Sequence, residues 1–331
     1  MSGPPSAAPG DASPPWSPQR RWQASERTPA ELAHAARVLA LRGRRAAASL
    51  WAGGYASAFR GAGIEFDELR PYELGDDVRA IDWNATARRG ETYVRRFREE
   101  RDQTLVLLLD VSASMGFGSV GRSKAQAAAH AAALLAAAAI HAGDRVALVT
   151  FADGVRAELP PGRGEGHAWR LIETAVTEAS RCSGATDLAA AARHLHARRL
   201  RRSITVLLSD LRDDDALPPG EARAGPALAS LARGHDLVVG AVVDPCELAI
   251  PSAGRLRLRD PERAGRVGVL ASGRARVRAA YAAAARARRA DVTRRVRGLG
   301  ADCVWLRSDR DPLSALFALV RERSARGGVA A

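Results

Sequence analysis

The stretch Leu105–Gly116, LVLLLDVSASMG, restricts the fold more than any other part of this chain. A continuous aliphatic run stops abruptly at Asp110, and Ser112 and Ser114 follow at alternate positions. A short apolar run bounded by small polar residues reads as a strand buried on both faces, as in parallel sheets. Its end puts one carboxylate and two hydroxyls in the loop at the strand's carboxyl edge, where open α/β sheets bind ligands. One charged and two neutral oxygens suit a hard divalent cation such as magnesium.

Downstream, strand-like and helix-like segments alternate. The pattern predicts an alanine-rich helix over Lys124–Ala142, then a strand over Arg145–Phe151. Asp153-Gly154 reads as a hairpin turn into an edge strand over Val155–Leu159. Helices are expected over Gly166–Ala179 and Asp187–Ala197. A second aliphatic strand, Ser203–Ser209, then ends at Asp210. A helix over Ala222–Gly234, a strand over Leu237–Val243 and a β-ribbon over Leu248–Leu270 follow. Helix Gly273–Leu299, strand Asp302–Arg307 and helix Pro312–Arg323 close the pattern. This alternation implies an α/β fold with a doubly wound, mainly parallel sheet and helices on both faces.

Upstream, Thr28-Pro29-Ala30-Glu31 has the composition of a helix start, with Thr28 as N-cap, Pro29 at the first helical position and Glu31 closing a capping box. The helix is expected to reach about Trp51. Between Ile64 and Arg101, turn signals at Pro71, Gly75 and Gly90 and alternation over Glu91–Glu99 indicate a small, mostly β subdomain. The expected organisation is a Pro/Ser/Gly-rich disordered tail over 1–27, a helix and β subdomain over 28–101, the α/β domain over 102–325 and a flexible tail over 326–331.

The 50 basic and 37 acidic residues leave a net charge of +13, which invites a nucleic-acid reading. However, Lys124 is the sole lysine, and the arginines are spread among alanines without interleaved aromatics, as a GC-rich coding bias would leave them. Cys182, Cys246 and Cys303 are too few and too far apart for a disulfide framework or a C-x-x-C metal site. Such cysteine usage suits a reducing cytosol. The N-terminus lacks the apolar core of a signal peptide. Ala125–Ala142 approaches membrane-spanning length but is mostly alanine and carries His130 and His141, so a buried helix is expected. Those two histidines nearly share a helix face and are expected at the core edge. A cytoplasmic protein without a membrane span is the resulting expectation.

Three loops should meet at one sheet edge. The first carries Asp110, Ser112 and Ser114; the second is Ser183-Gly184-Ala185-Thr186-Asp187; the third carries Asp210. Singly, each has an ordinary use: Asp110 and Ser112 can serve a turn, and Thr186 can cap the next helix. Together they fit a cation site.

Asp-x-Ser-x-Ser, a later Gly-x-Thr and a later apolar strand ending in Ser-Asp resemble the metal-ion-dependent adhesion site of von Willebrand factor type A domains. GIEFDELRPYELGDDVRAIDW followed by ATARRG resembles the signature of the bacterial family called domain of unknown function 58, over about Ala30 to Arg323. One departure is Gly53-Gly54-Tyr55, where members often carry a Gly-Glu-His-like element; Arg60, Gly61 and Gly63 still fit.

The resemblance implies a von Willebrand factor A, Rossmann-like fold. It implies a site for Mg2+ (or Mn2+ or Ca2+) made by Asp110, Ser112, Ser114, Thr186 and Asp210, with the three hydroxyls binding directly and the carboxylates directly or through water. A partner's carboxylate could then complete the octahedron. It further implies a MoxR-type AAA+ ATPase partner and an unknown protein client. The expected function is a non-enzymatic, metal-dependent protein-binding adaptor in protein remodelling or metalloenzyme maturation. The chain has no Walker A loop to supply ATP chemistry itself. The signature residues Glu65, Phe66, Arg70, Tyr72, Gly75, Asp76, Asp77, Arg79, Asp82, Trp83 and Arg88 are expected to be structural. Asp76, Asp77, Arg79, Asp82 and Arg88 should form buried salt bridges and caps, and Trp83 a core anchor.

Two other classes compete. A metal-dependent phosphatase of the haloacid-dehalogenase kind also ends its first strand in Asp, but needs a second Asp two positions on, where Ser112 stands. A basic nucleic-acid-binding protein would show steeply salt-dependent affinity.

Overall fold

The computed structural model describes residues 29–52, 58, 64–73, 81–99, 103–212, 224–263 and 266–327. Helix α1 spans Pro29–Ala52, and strand β1, Ile64–Pro71, pairs antiparallel with β2, Tyr93–Glu99. Between the strands lies α2, Trp83–Arg89, whose N-cap Asp82 accepts hydrogen bonds from the Asn84 and Ala85 N–H groups at 2.9 and 3.0 Å. Among the described residues, the expected β subdomain holds a two-stranded ribbon with a short helix between its strands.

Trp83 corrects an expectation. It stands at the first position of α2, turned outward, and is 68% exposed rather than a core anchor. The cap fixes how the helix starts, and at that register the indole faces solvent. Arg88 is also exposed, while Tyr72 is half-buried and donates its N–H to Thr92 O at 2.8 Å. Residues 1–28 with the Thr28 cap, Gly53, Gly54, Tyr55, Arg60, Gly61, Gly63, Gly75, Asp76, Asp77 and Arg79 lie outside the described residues, as do the side chains of Glu65, Phe66 and Arg70.

The centre of the molecule is a six-stranded sheet. The chain runs through β3 (Thr104–Asp110), α3 (Lys124–His141), β4 (Arg145–Phe151), β5 (Val155–Gly162), α4 (Glu165–Ala179), α5 (Leu188–Ala197) and β6 (Ile204–Ser209). It continues through α6 (Ala224–Gly234), β7 (Asp236–Val243), α7 (Pro245–Leu248), β8 (Arg255–Arg259), β9 (Val267–Ala271), α8 (Ala275–Gly298), β10 (Asp302–Arg307) and α9 (Leu313–Gly327). The sheet order is β10-β7-β6-β3-β4-β5, parallel except for the edge strand β5. Pro160 and Pro161 are tolerated there because an edge strand has one row of N–H groups without ladder partners.

Alternate residues of β3 serve two cores. Leu105, Leu107 and Leu109 pack with α3, α4 and α9, whereas Val106 and Leu108 pack with α5, α6 and α8. Each such aliphatic side chain contributes about 1.5–3 kcal/mol by leaving water. Helix α3 is buried almost throughout, and its alanine methyls let it lie close to the sheet. On its other side α1 approaches at Gly43, where a Cβ would sit 3.0 Å from Ala137 Cβ and 3.3 Å from Ala133 O. Arg323 of α9 ties distant segments together by donating to Ala58 O at 2.9 Å, to Asp302 Oδ2 at 2.6 Å and to Asp236.

Some expected boundaries shift. Leu248 belongs to α7, capped by Asp244, and the β8–β9 ribbon begins only at Arg255. Helix α9 runs to Gly327, so the expected flexible tail begins with helix. His130 is buried and accepts from Arg122 Nη1 at 2.9 Å, whereas His141 ends α3 in solvent, so the two do not share a core-edge setting. Among the described residues, no helix is long and apolar enough to cross a membrane.

Candidate functional site

The strand order makes the site's location a consequence of topology. From β3 the chain moves to β4 and β5 on one side, then returns to β6 on the other. The switch point therefore lies between the carboxyl ends of β3 and β6, where open sheets form a crevice. Asp110 ends β3, Ser209 ends β6 and Asp210 follows it directly.

The residues expected from sequence meet there. Asp110 is fully buried; its Oδ1 accepts from the Ser112 N–H at 2.9 Å and its Oδ2 from Ser209 Oγ at 2.6 Å. Ser112 Oγ lies 3.2 Å from Ser114 Oγ and 3.0 Å from Thr186 Oγ1. Ser114 Oγ donates to Asp210 Oδ2 at 2.9 Å. The Thr186 loop is held against the first loop by Ala113 N–H to Gly184 O at 2.9 Å and Ser183 N–H to Val111 O at 3.1 Å. Gly184 adopts φ +80°, a left-handed conformation that favours glycine at this turn. The third loop also carries a special conformation, Leu211 at φ +56°. Arg288 Nη2 of α8 steadies it by donating to Leu211 O at 2.9 Å.

Three site residues were not legible in the sequence. Lys124, at the head of α3, donates from Nζ to Asp210 Oδ2 at 2.6 Å and to Glu247 Oε1 at 2.8 Å. Arg212 joins the same carboxylates, its Nη2 3.2 Å from Glu247 Oε1. Glu262, in the tip between β8 and β9, reaches Thr186 by accepting from its N–H at 3.1 Å and from its Oγ1 at 2.9 Å. The one available signal for Lys124 was its standing as the sole lysine; for Glu262 there was none.

The electrostatics follow from burial. Burial, then the charge of Asp210, pushes the Asp110 carboxyl up to about 7. Burial would raise Asp210 as well, but Lys124 and Arg212 hold it below the usual carboxylate range. Burial would lower Lys124, but Asp210 and Glu247 more than offset this and hold it above its ordinary value.

The hydroxyls expose a proton shortage. Thr186, Ser112 and Ser114 form a chain that ends on Glu262 at one side and Asp210 at the other. An ionised carboxylate only accepts, and each hydroxyl carries one proton. Four links need four protons, and three hydroxyls supply three. One hydroxyl–hydroxyl link therefore brings lone pair against lone pair, which a cation on those oxygens would relieve. An all-oxygen donor set of hydroxyls and carboxylates fits magnesium or a similar hard cation. Among the described residues, no group of three or more His, Cys, Asp or Glu side chains is placed to hold a metal.

The fold and this crevice define a layered, mixed α/β protein with an oxygen-lined site at the switch point of a mostly parallel sheet. The chain belongs to the family described as protein of unknown function DUF58, whose profile matches residues 68–291. An uncharacterized protein of Mycobacterium tuberculosis H37Rv is 32% identical over 301 residues, covering 91% of this chain and 92% of that one. An uncharacterized protein of Mycobacterium avium is 31% identical, covering 52% of this chain and 96% of the other. Among solved structures, the conserved hypothetical protein BatB from Bacteroides thetaiotaomicron is 19% identical with a TM-score of 0.43, covering 69% of this chain and 99% of that one.

Proposed function

We propose that this protein is a non-enzymatic, divalent-cation-dependent protein-binding module of the von Willebrand A type. The observation that carries the reading is the three-hydroxyl chain between two carboxylates, one proton short, at the switch-point crevice. Ser112, Ser114 and Thr186 would hold the cation, with Asp110 and Asp210 supplying the charge around it. A bound magnesium would offer a Lewis-acidic position to a carboxylate of a partner protein.

A binding role, rather than hydrolysis, is supported by the state of Asp110. Both of its oxygens accept hydrogen bonds, from the Ser112 N–H and Ser209 Oγ, which fix its orientation, and the second Asp that a phosphatase of the haloacid-dehalogenase kind needs two positions on is Ser112 here. By the family resemblance, the partners would be a MoxR-type AAA+ ATPase and its client, in the cytoplasm.

Calorimetry with magnesium tests the site. The wild type should bind, and Asp110→Ala should not; equal heats from the two would remove the reading. Capture of the tagged protein's partners in magnesium and again in EDTA would then test the adaptor role. An AAA+ ATPase lost in EDTA is the expected result, and an ATPase retained equally in both would refute metal dependence.

A further inference from the structure

The β8–β9 ribbon is an independent two-stranded sheet that joins neither edge of the central one. Such a hairpin is marginally stable by itself in water. It also buries little: Leu258 is 45%, Val267 40% and Val269 69% exposed. At its root, the Gly273 N–H donates to Gly254 O at 2.9 Å and the Ala253 N–H to Ser272 Oγ at 3.0 Å. Its tip is shaped by Asp260, whose Oδ1 accepts from the Glu262 N–H at 3.0 Å and whose own N–H donates to Arg266 O at 3.0 Å. This turn directs Glu262 onto Thr186, 76 residues earlier, through two hydrogen bonds, one to each carboxylate oxygen.

The placement has a chemical meaning. Glu262 brings a further carboxylate to the rim of the crevice that holds Asp110 and Asp210, and it meets that crevice through Thr186. Thr186 is also the direct metal donor of the reading above, so a carboxylate resting on it stands where an incoming acidic ligand would arrive. The tip carries its own supply of that ligand chemistry.

We infer that Glu262 is a built-in carboxylate ligand of the cation site, and that the ribbon keeps the site closed until an acidic segment of a partner protein displaces it. The inference rests on the metal-dependent reading above. It names the ligand class, a protein carboxylate on an extended or looped segment. It also names the moving part, the ribbon hinged at Gly254 and Gly273. Exposed Arg257, Arg259, Arg263 and Arg266 flank the tip and suit the approach of acidic sequence.

The test combines magnesium calorimetry with hydrogen–deuterium exchange of the ribbon in wild type, Glu262→Gln, Glu262→Ala and Asp110→Ala. In the wild type, magnesium should slow exchange in the ribbon by roughly tenfold, because the metal ties its tip to the crevice. Glu262→Gln keeps an acceptor for Thr186 but lacks the charge. It should keep the metal-free exchange of the wild type, lose the magnesium response, and bind magnesium about tenfold more weakly. Glu262→Ala should also free the ribbon without metal. Asp110→Ala should show no binding. If magnesium binds the wild type and both Glu262 variants alike, with no change in ribbon exchange, the self-ligand is refuted and the metal site stands. If the wild type binds no magnesium, the metal reading falls and the self-ligand with it.

Discussion

Lys124 Nζ and Asp210 Oδ2 lie 2.6 Å apart, with each side chain 1% exposed, although 86 residues separate them in the chain. The pair joins the head of α3 to the end of β6, the two elements that frame the crevice. Asp210 Oδ2 also accepts from Ser114, so one oxygen serves both the ammonium and the hydroxyl chain.

Breaking this pair should be expensive. Lys124→Met keeps much of the side-chain volume but leaves Asp210 buried beside Asp110 with less positive charge nearby. A loss of about 3–5 kcal/mol is expected by urea denaturation without divalent cations. Added magnesium should restore more stability to this variant than to the wild type, since a dication can take over the charge. Equal magnesium responses would show that the ammonium and the metal do not share Asp210.

Thr186→Val should separate stability from binding. It removes one hydroxyl and with it two links, leaving Ser112–Ser114 and Ser114–Asp210 with a proton for each. The half-buried Glu262 carboxylate can be solvated instead. Stability should therefore fall by less than about 1 kcal/mol in chemical denaturation. Calorimetry should show magnesium binding lost. A variant that unfolds readily would make Thr186 a structural residue first.

His130 should govern part of the acid sensitivity. Burial, opposed by Asp311 and reinforced by Arg122 and Arg42, lowers it to about 4 from an ordinary 6.5. Arg122 Nη1 always donates, so His130 Nδ1 must accept, and a protonated ring would lose that bond. The unfolded chain takes up this proton below about pH 6.5, while the native state resists it until about pH 4. Stability from this group is complete above that window and falls through it, by at most about 1.4 kcal/mol per pH unit. His130→Gln retains an acceptor and does not titrate, so its unfolding free energy should change less than the wild type's between pH 6.5 and pH 4.5. Parallel pH profiles would assign the acid sensitivity elsewhere.

The fold was legible wherever burial on both faces forces a one-sided composition. Strands Thr104–Asp110 and Arg145–Phe151 have the limits that their aliphatic runs predict, and Asp302–Arg307 likewise. The convergence of Asp110, Ser112, Ser114, Thr186 and Asp210 was legible because strand ends on a parallel sheet share one edge. Trp83 was misread because an aromatic side chain reports nothing about helix register until the Asp82 cap is known. Lys124 was hidden because a buried lysine depends on carboxylates that arrive from β6 and α7. Glu262 was hidden because an exposed, arginine-rich ribbon has no core periodicity to fix where its tip will land.

Helix α3 is sheathed in methyl groups, by the sheet on one side and by α1 near Gly43 on the other. Enlarging any one buried alanine would force its neighbours outward at about 1–3 kcal/mol. This helix therefore tolerates change only when several positions change together, and drift by single substitutions is closed to it. Lys124 sits at its head, so the register of the ammonium in the crevice is guarded by residues that have no chemistry of their own.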